Sequence, residues 1–133
     1  MRIKLSSVSI DDPDRALRFY TEVLGFVKKH DIPLGNGARW ITVVSPEEPD
    51  AAELLLEPNA EYPAMKALKE SLVRDGIPYI AFQVNDVQAE YAKLKERGAE
   101  FVMEPTDLGT VTAAILNDTC GNLIQIYQPT RQS

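Results

Sequence analysis

The sequence predicts an α+β fold of two tandem βαβββ modules, whose sheets pair into a curved, cup-like half-barrel. The first observation behind this prediction is that each half of the chain has one amphipathic helix among strand-like segments. The second is an internal repeat, in which residues 7–12 match residues 81–86 at an offset of 74. The third is turn chemistry, since an aspartate opens each helix and a glycine ends it.

Length and composition fit a single domain over residues 1–133, with a first module at 1–57, a connector with a short helix at 58–76 and a second module at 77–130. A chain of 133 residues buries about two-thirds of its unfolded surface, so it needs no disulfide or metal to fold. The net charge of −6 argues against nucleic acid and membrane as partners. A single cysteine and an N-terminus without an apolar leader indicate a cytoplasmic protein.

The first module is predicted from its capped helix. Asp12 is the expected N-cap, Pro13 occupies the first helical position, and Gly25 has the place of a left-handed C-terminal cap. Apolar residues at helical spacing lie between these signals. The strands of this module are predicted at Ile3–Ile10, Phe26–Ile32, Arg39–Ser45 and Glu53–Glu57.

The connector and the second module continue the pattern. A connecting helix is predicted over Pro63–Arg74, with Met65, Leu68 and Leu72 on one face. In the second module, Asp86 is the expected N-cap of a helix that Gly98 ends. Its later strands match the first module at an offset of 70, which overlays Thr42 on Thr112, Leu54 on Ile124 and Leu56 on Ile126. The strands are predicted at Tyr79–Val84, Ala99–Pro105, Thr110–Leu116 and Asn122–Gln128.

One face of each predicted sheet packs on its helix, and the other face is both polar and aromatic. Side chains alternate between the faces of a strand, so the members of each face can be read from the sequence. A concave face of this composition is typical of a small-molecule pocket, although an antiparallel sheet with one solvated face gives a similar pattern. The residues expected to bind a ligand are Leu5, Ser7, Trp40, Thr42, Leu55, Glu57, Tyr79, Thr112, Gln125 and Tyr127.

Two segments resemble the vicinal oxygen chelate superfamily, the group of glyoxalase I, bleomycin-resistance proteins and extradiol dioxygenases. Residues 8–12 lead to the segments 16–20 and 23–26, and residues 117–122 precede the strand residues 124–126. The resemblance covers nearly the whole chain and implies the fold. It implies much less about activity, because this fold hosts many functions.

The resemblance also identifies four positions at which metal-using members carry their ligands. In this sequence they are Leu5, Leu55, Tyr79 and Gln125. Leucine cannot bind a metal, and a tyrosine and a neutral amide do not replace the charged or imidazole donors that zinc and hard divalent ions require. We therefore expect no metal and no cofactor. Gln125 either orients a ligand or satisfies a buried hydrogen-bond network.

Four other side chains carry groups that can take part in chemistry. His30, the only histidine, is expected at a solvated strand end, and Cys120 is expected to be a thiol without a nearby base. Glu53 and Glu57 could attract a cation or act as an acid–base pair, although solvated carboxylates are ordinary at strand ends.

The predicted function is metal-independent binding of a small organic molecule in the cup, by a protein that resembles the glyoxalase and bleomycin-resistance group and forms a homodimer. One alternative is a metal-dependent enzyme resembling glyoxalase I or an extradiol dioxygenase, which would need a Lewis acid. A further alternative is an interaction domain whose cup is filled by its own side chains.

Overall fold

The computed structural model describes residues 1–130 of the chain. Its contacts divide the chain into two compact units, one of residues 1–67 and one that begins at residue 68. Each unit contains one four-stranded sheet and the helix that follows its first strand. The predicted α+β class with two tandem βαβββ modules is therefore confirmed. None of the helices within residues 1–130 is long and apolar enough to cross a bilayer.

The sheet of the first unit mixes parallel and antiparallel pairing. Its elements are β1 (Leu5–Ser9), α1 (Pro13–Arg18) with a π-helical turn (Phe19–Val23), β2 (Val27–Gly35), β3 (Ala38–Val44) and β4 (Glu53–Glu57). The strands lie in the order β1-β4-β3-β2. β1 runs parallel to β4, whereas β3 is antiparallel to both β4 and β2. The strands β1 and β2 thus form the two edges.

The local signals read from the sequence explain where the first helix begins and ends. The Asp12 side chain accepts hydrogen bonds from the backbone N–H groups of Asp14 and Arg15, at 3.0 and 3.2 Å. Pro13 occupies the first helical position. At the other end Gly25 has a φ of 88°, a left-handed conformation that glycine adopts without strain. Both predicted caps are confirmed.

The core of the first unit lies between its sheet and α1. Val8 and Ile10 are fully buried, as are Ile41 and Tyr20, and Leu56 is nearly so. Strand alternation places Val8 and Leu56 on the same face, since they pair directly. This face packs on the helix, and burying each such side chain contributes about 1.5–3 kcal/mol.

The second unit repeats this architecture after the connecting helix α2 (Pro63–Arg74), within which the division between the units falls. Its strands lie in the order β5-β8-β7-β6. The Asp86 side chain accepts a hydrogen bond from the backbone N–H of Ala89 at 3.1 Å, which confirms the predicted N-cap of the second module's helix. The elements are β5 (Ile80–Gln83), α3 (Val87–Glu96), β6 (Glu100–Asp107), β7 (Val111–Asn117) and β8 (Leu123–Pro129).

The register of β7 corrects the predicted overlay of the two modules. Leu55 pairs with Thr42 in the first sheet, and its counterpart Gln125 pairs with Ile115 in the second. Thr42 therefore corresponds to Ile115, and its predicted match with Thr112 is wrong by three residues. The cause is the shorter connection in the second module. The two connections are residues 45–52 between β3 and β4 and residues 118–122 between β7 and β8.

The connecting helix differs from its predicted pattern. Leu68, expected on its apolar face, is 47% exposed, whereas Lys69 is buried. The Lys69 ammonium donates to the backbone carbonyl oxygen of Cys120 at 2.8 Å. This contact ties α2 to the turn between β7 and β8, because a buried ammonium group needs a hydrogen-bond partner.

Candidate functional site

The first unit gathers its predicted site residues on the sheet face opposite its core, which we call the polar face. The pairing of Ser7 with Leu55, of Leu55 with Thr42 and of Thr42 with His30 defines this face across all four strands. Paired residues of adjacent strands point to the same side. By the same register the polar face comprises Leu5, Ser7, Ser9, His30, Ile32, Trp40, Thr42, Glu53, Leu55 and Glu57.

Burial varies across the polar face. Thr42 and Leu55, near its centre, are 0% and 7% exposed. Leu5 and Ser7 are exposed, and Trp40 is half-buried. A ligand that approaches this face would therefore first meet the exposed β1 side chains and Trp40.

A hydrogen-bonded carboxylate organises the polar face. The Thr42 hydroxyl donates to Glu53 Oε1 at 2.8 Å. Lys29 Nζ lies 3.7 Å from Oε2, and His30 Nε2 lies 3.7 Å from Oε1 of the same carboxylate. The hydrogen bond from Thr42 holds the pKa of Glu53 below its usual value, and the charges of Lys29 and His30 act in the same direction. The Glu53 carboxylate therefore stays ionised to a lower pH than that of an ordinary glutamate.

Sequence reasoning missed this cluster because it depends on a β-bulge. His30 lies within the edge strand β2 rather than at the expected solvated strand end, and its side chain turns onto the polar face. The register of β2 shifts between Lys28 and His30. The strand pattern of the sequence gives no signal for that shift, since bulges are set by pairing with the neighbouring strand.

Glu57 also lies on the polar face but is not engaged. It pairs with Ser9 and is half-buried. Among residues 1–130 its carboxylate has neither a hydrogen bond nor an ion pair, whereas the Glu53 carboxylate has three partners. Glu57 is therefore the acidic group on this face that remains available to a cation.

The second unit has a corresponding face, which we call the Gln125 face. Gln125 pairs with Ala81 on one side and Ile115 on the other, and Tyr127 pairs with Gln83 and Ala113. These six residues define the face, which lies opposite the buried Ile124 and Ile126.

Thr112 does not belong to the Gln125 face, which corrects its predicted place in the site. It pairs with Gln128, whose side-chain oxygen accepts from the backbone N–H of Val87 at the start of α3. Thr112 therefore lies on the helix-covered side. The misplacement follows from the register error described above, because a register shift by an odd number of residues moves a side chain to the opposite face of the sheet.

Gln125 and Tyr127 are half-buried without hydrogen-bond partners for their side chains among residues 1–130. The alternative that the Gln125 side chain satisfies a buried hydrogen-bond network is therefore not supported within residues 1–130. Tyr79 lies directly before β5, where its backbone N–H donates to the Leu123 carbonyl oxygen at 2.8 Å. Most buried polar groups in proteins are satisfied, so the Gln125 amide and the Tyr127 hydroxyl are suited to a ligand.

The four positions at which relatives are expected to hold a metal do not fit one. Leu5 and Leu55 lie on the polar face, and Gln125 and Tyr79 offer a neutral amide and a phenol. Within residues 1–130 no group of three or more His, Cys, Asp or Glu side chains is arranged to hold an ion. Cys120 is buried and forms no disulfide.

Two tandem βαβββ modules define the class of protein. The family model described as the Glyoxalase/Bleomycin resistance protein/Dioxygenase superfamily matches residues 2–126, and the chain belongs to this superfamily. The resemblance seen in the sequence is thereby confirmed.

Three relatives illustrate the range of this superfamily. The chain is 53% identical to the uncharacterised protein YurT of Bacillus subtilis over 96% of this chain and 99% of YurT. It is 26% identical to a probable lactoylglutathione lyase of Synechocystis sp., over 91% of this chain and 90% of that protein. The crystal structure of TnmS3, an antibiotic binding protein from Streptomyces sp. CB03234, has a TM-score of 0.76 and 28% identity, covering 98% of this chain and 97% of TnmS3.

Proposed function

We propose that this protein is a metal-independent binding protein for a small organic molecule, for which the polar face and the Gln125 face each provide binding groups. The proposal rests on a set of polar groups that have no hydrogen-bond partner among residues 1–130 and lie beside apolar side chains. The Gln125 amide, the Tyr127 hydroxyl and the Glu57 carboxylate have no side-chain partner among residues 1–130. Groups of this kind fix the orientation of a ligand, while aromatic and aliphatic neighbours provide apolar burial.

The similarity to an antibiotic binding protein supports this proposal, since that protein shares the fold over nearly the whole chain. An organic molecule with an aromatic part suits Trp40 and Tyr127, whose rings can stack on it. A basic group on the ligand suits Glu57. The homodimeric state and the cytoplasmic location are also part of this proposal.

The donor chemistry of the polar face and of the Gln125 face supports the metal-independent part of the proposal. Two leucines, a phenol and an amide would not hold zinc or a hard divalent ion with useful affinity. This chain therefore lacks the residues for a reaction that depends on a Lewis acid at those four positions.

A thermal-shift screen of aromatic compounds and cationic antibiotics tests the proposal, with elemental analysis of the dialysed protein beside it. We expect several aromatic compounds to raise the melting temperature, with no stoichiometric metal present. A complete lack of stabilisation across a broad panel would contradict the binding function. Stoichiometric zinc, nickel or iron after dialysis would contradict its metal independence.

Two other functions each have one observation in their favour. The similarity to a probable lactoylglutathione lyase favours an enzyme, and turnover of a hemithioacetal substrate that needs added metal would identify it. The burial of Thr42 and Leu55 favours an interaction domain whose faces are filled by its own side chains. Absence of ligand binding, combined with capture of a defined protein partner, would identify that domain.

A further inference from the structure

The first unit turns two consecutive basic side chains onto its polar face. Along a regular strand neighbouring residues point to opposite faces. Lys28 pairs with the buried Val43 and lies 3.9 Å from Asp31, on the side that packs on the helix. The register then shifts, and Lys29 and His30 both reach the carboxylate of Glu53, which regular alternation would not allow. Bulges commonly re-aim side chains in this way beside functional sites.

The contacts of these two side chains with Glu53 leave their N–H groups available. Both nitrogen–oxygen separations are 3.7 Å, which is within reach of charge attraction but too long for a hydrogen bond. Neither side chain makes a hydrogen bond elsewhere in residues 1–130. The Lys29 side chain is 36% exposed and that of His30 is 41% exposed, so a ligand can approach both.

We propose that Lys29 and His30 form a subsite for an anionic oxygen group, such as a carboxylate or a phenolate, of the molecule bound on the polar face. This inference rests on the proposed binding function. Lysine ammonium and protonated imidazole groups donate strong, charge-assisted hydrogen bonds to such oxygens. Exposed ion pairs contribute little to stability, so folding alone gives little reason to gather two cations around one carboxylate.

Glu53 acts as a positioning residue in this subsite. Its carboxylate is fixed by the 2.8 Å hydrogen bond from the fully buried Thr42. It draws Lys29 and His30 together and offsets part of their mutual repulsion. When His30 carries its proton, the cluster of two cations and one carboxylate keeps a net positive charge, which an anionic ligand group can neutralise.

The subsite also defines a preferred shape of ligand. Glu57 lies on the same face, four residues further along β4 from Glu53, which corresponds to about 13 Å of strand. Its free carboxylate suits a basic group. A molecule with an acidic group at one end and a basic group at the other would therefore complement the polar face along its length.

Isothermal titration calorimetry with two matched probes, 2-naphthoate and 2-naphthamide, tests the subsite, because the compounds share a ring system and differ in charge. We expect naphthoate to bind about tenfold more tightly than naphthamide. Lys29→Gln and His30→Gln should each remove most of this preference. Lys28→Gln is the matched control, since it removes the same charge from the adjacent residue on the opposite face. Equal melting temperatures of the variants check that all three are folded.

A pH series provides a second readout. The charged groups that face His30 are Glu53 from β4 and Lys29 from its own strand, whereas β3 contributes the uncharged Thr42. A positive charge on His30 strengthens its attraction for a carboxylate, so naphthoate binding should tighten as the pH falls. His30→Gln should abolish this change.

The outcomes separate the subsite from the proposed function. Equal affinity for the two probes, or an equal loss of preference in Lys28→Gln, would overturn the subsite and leave the binding function intact. If naphthoate fails to bind while other aromatic compounds of the panel stabilise the protein, the subsite is likewise overturned and the binding function is left intact. If no compound of any charge binds, the proposed function fails and the subsite fails with it.

Discussion

Replacing Asp118 with alanine should test how the second module sets the position of Gln125 and Tyr127. Asp118 is fully buried in the turn between β7 and β8. Its Oδ1 atom accepts from the backbone N–H groups of Cys120, at 2.7 Å, and of Asn122, at 3.0 Å. Its Oδ2 atom accepts from the side-chain amide of Asn122 at 2.7 Å. Three donors thus depend on one carboxylate.

The magnitude follows from these three hydrogen bonds. A buried donor left without a partner costs about 1–3 kcal/mol. Because the turn can relax and admit water, we expect Asp118→Ala to lower the free energy of unfolding by about 3–5 kcal/mol in total. A domain of this size has about 5–15 kcal/mol of stability. With a urea m-value of about 1–3 kcal/mol per molar, the unfolding midpoint should fall by about 2 M.

Urea unfolding followed by circular dichroism measures this loss, and two variants sharpen it. Asp118→Asn keeps an oxygen for both backbone donors and loses the contact with the Asn122 amide, so its cost should be smaller, about 1–3 kcal/mol. Adding Asn122→Asp reverses donor and acceptor in that contact and should recover part of the loss. A cost below about 1 kcal/mol for Asp118→Ala would refute the assigned role of the carboxylate.

Four further predictions concern single residues. Thr119 has a φ of 66°, a strained conformation for a β-branched residue, so Thr119→Asn should raise the free energy of unfolding by about 1 kcal/mol, and a lower urea midpoint would contradict this. Hydrogen bonds from Arg39 hold the pKa of Asp31 below 3.8, so their stabilisation is complete above that value and is lost as the pH falls below it. Acid unfolding curves should therefore be less steep for Arg39→Gln, and an identical pH dependence would exclude the linkage. Glu57→Gln should weaken binding of cationic aromatic compounds up to about fivefold without changing that of neutral ones, as calorimetry would show. Gln125→Leu should weaken ligand binding about tenfold and leave the melting temperature unchanged, because the Gln125 amide has no partner in residues 1–130. A large drop in melting temperature would indicate a structural role instead.

The sequence was sufficient for the fold because its signals are local. Asp12 and Asp86 cap the helices where expected, since a carboxylate that accepts backbone N–H groups needs no tertiary partner. The strand β4 and the helix α2 have the predicted bounds, Glu53–Glu57 and Pro63–Arg74. The chain also belongs to the superfamily that its motifs resemble.

The site was predictable only where strands are regular. On the polar face, alternation placed Leu5, Ser7 and Leu55 together correctly. Thr112 was misplaced because the repeat was assumed to keep one offset through two strands joined by a shorter turn. The buried Lys69 was also missed, since one of its partners is the backbone carbonyl of a distant turn, which a sequence pattern cannot indicate.

The two glutamates of β4 show why residue type and face are not enough to assign function. Glu53 and Glu57 lie on one strand and one face, and by sequence both could attract a cation. The structure gives Glu53 a hydroxyl donor and two neighbouring positive charges, so a cationic ligand would have to compete with Lys29 for it. Glu57 has no such partner among residues 1–130. The Glu53 carboxylate therefore positions two cationic side chains, whereas the Glu57 carboxylate remains available to a cationic ligand. The polar face thus has opposite charge preferences at its two ends.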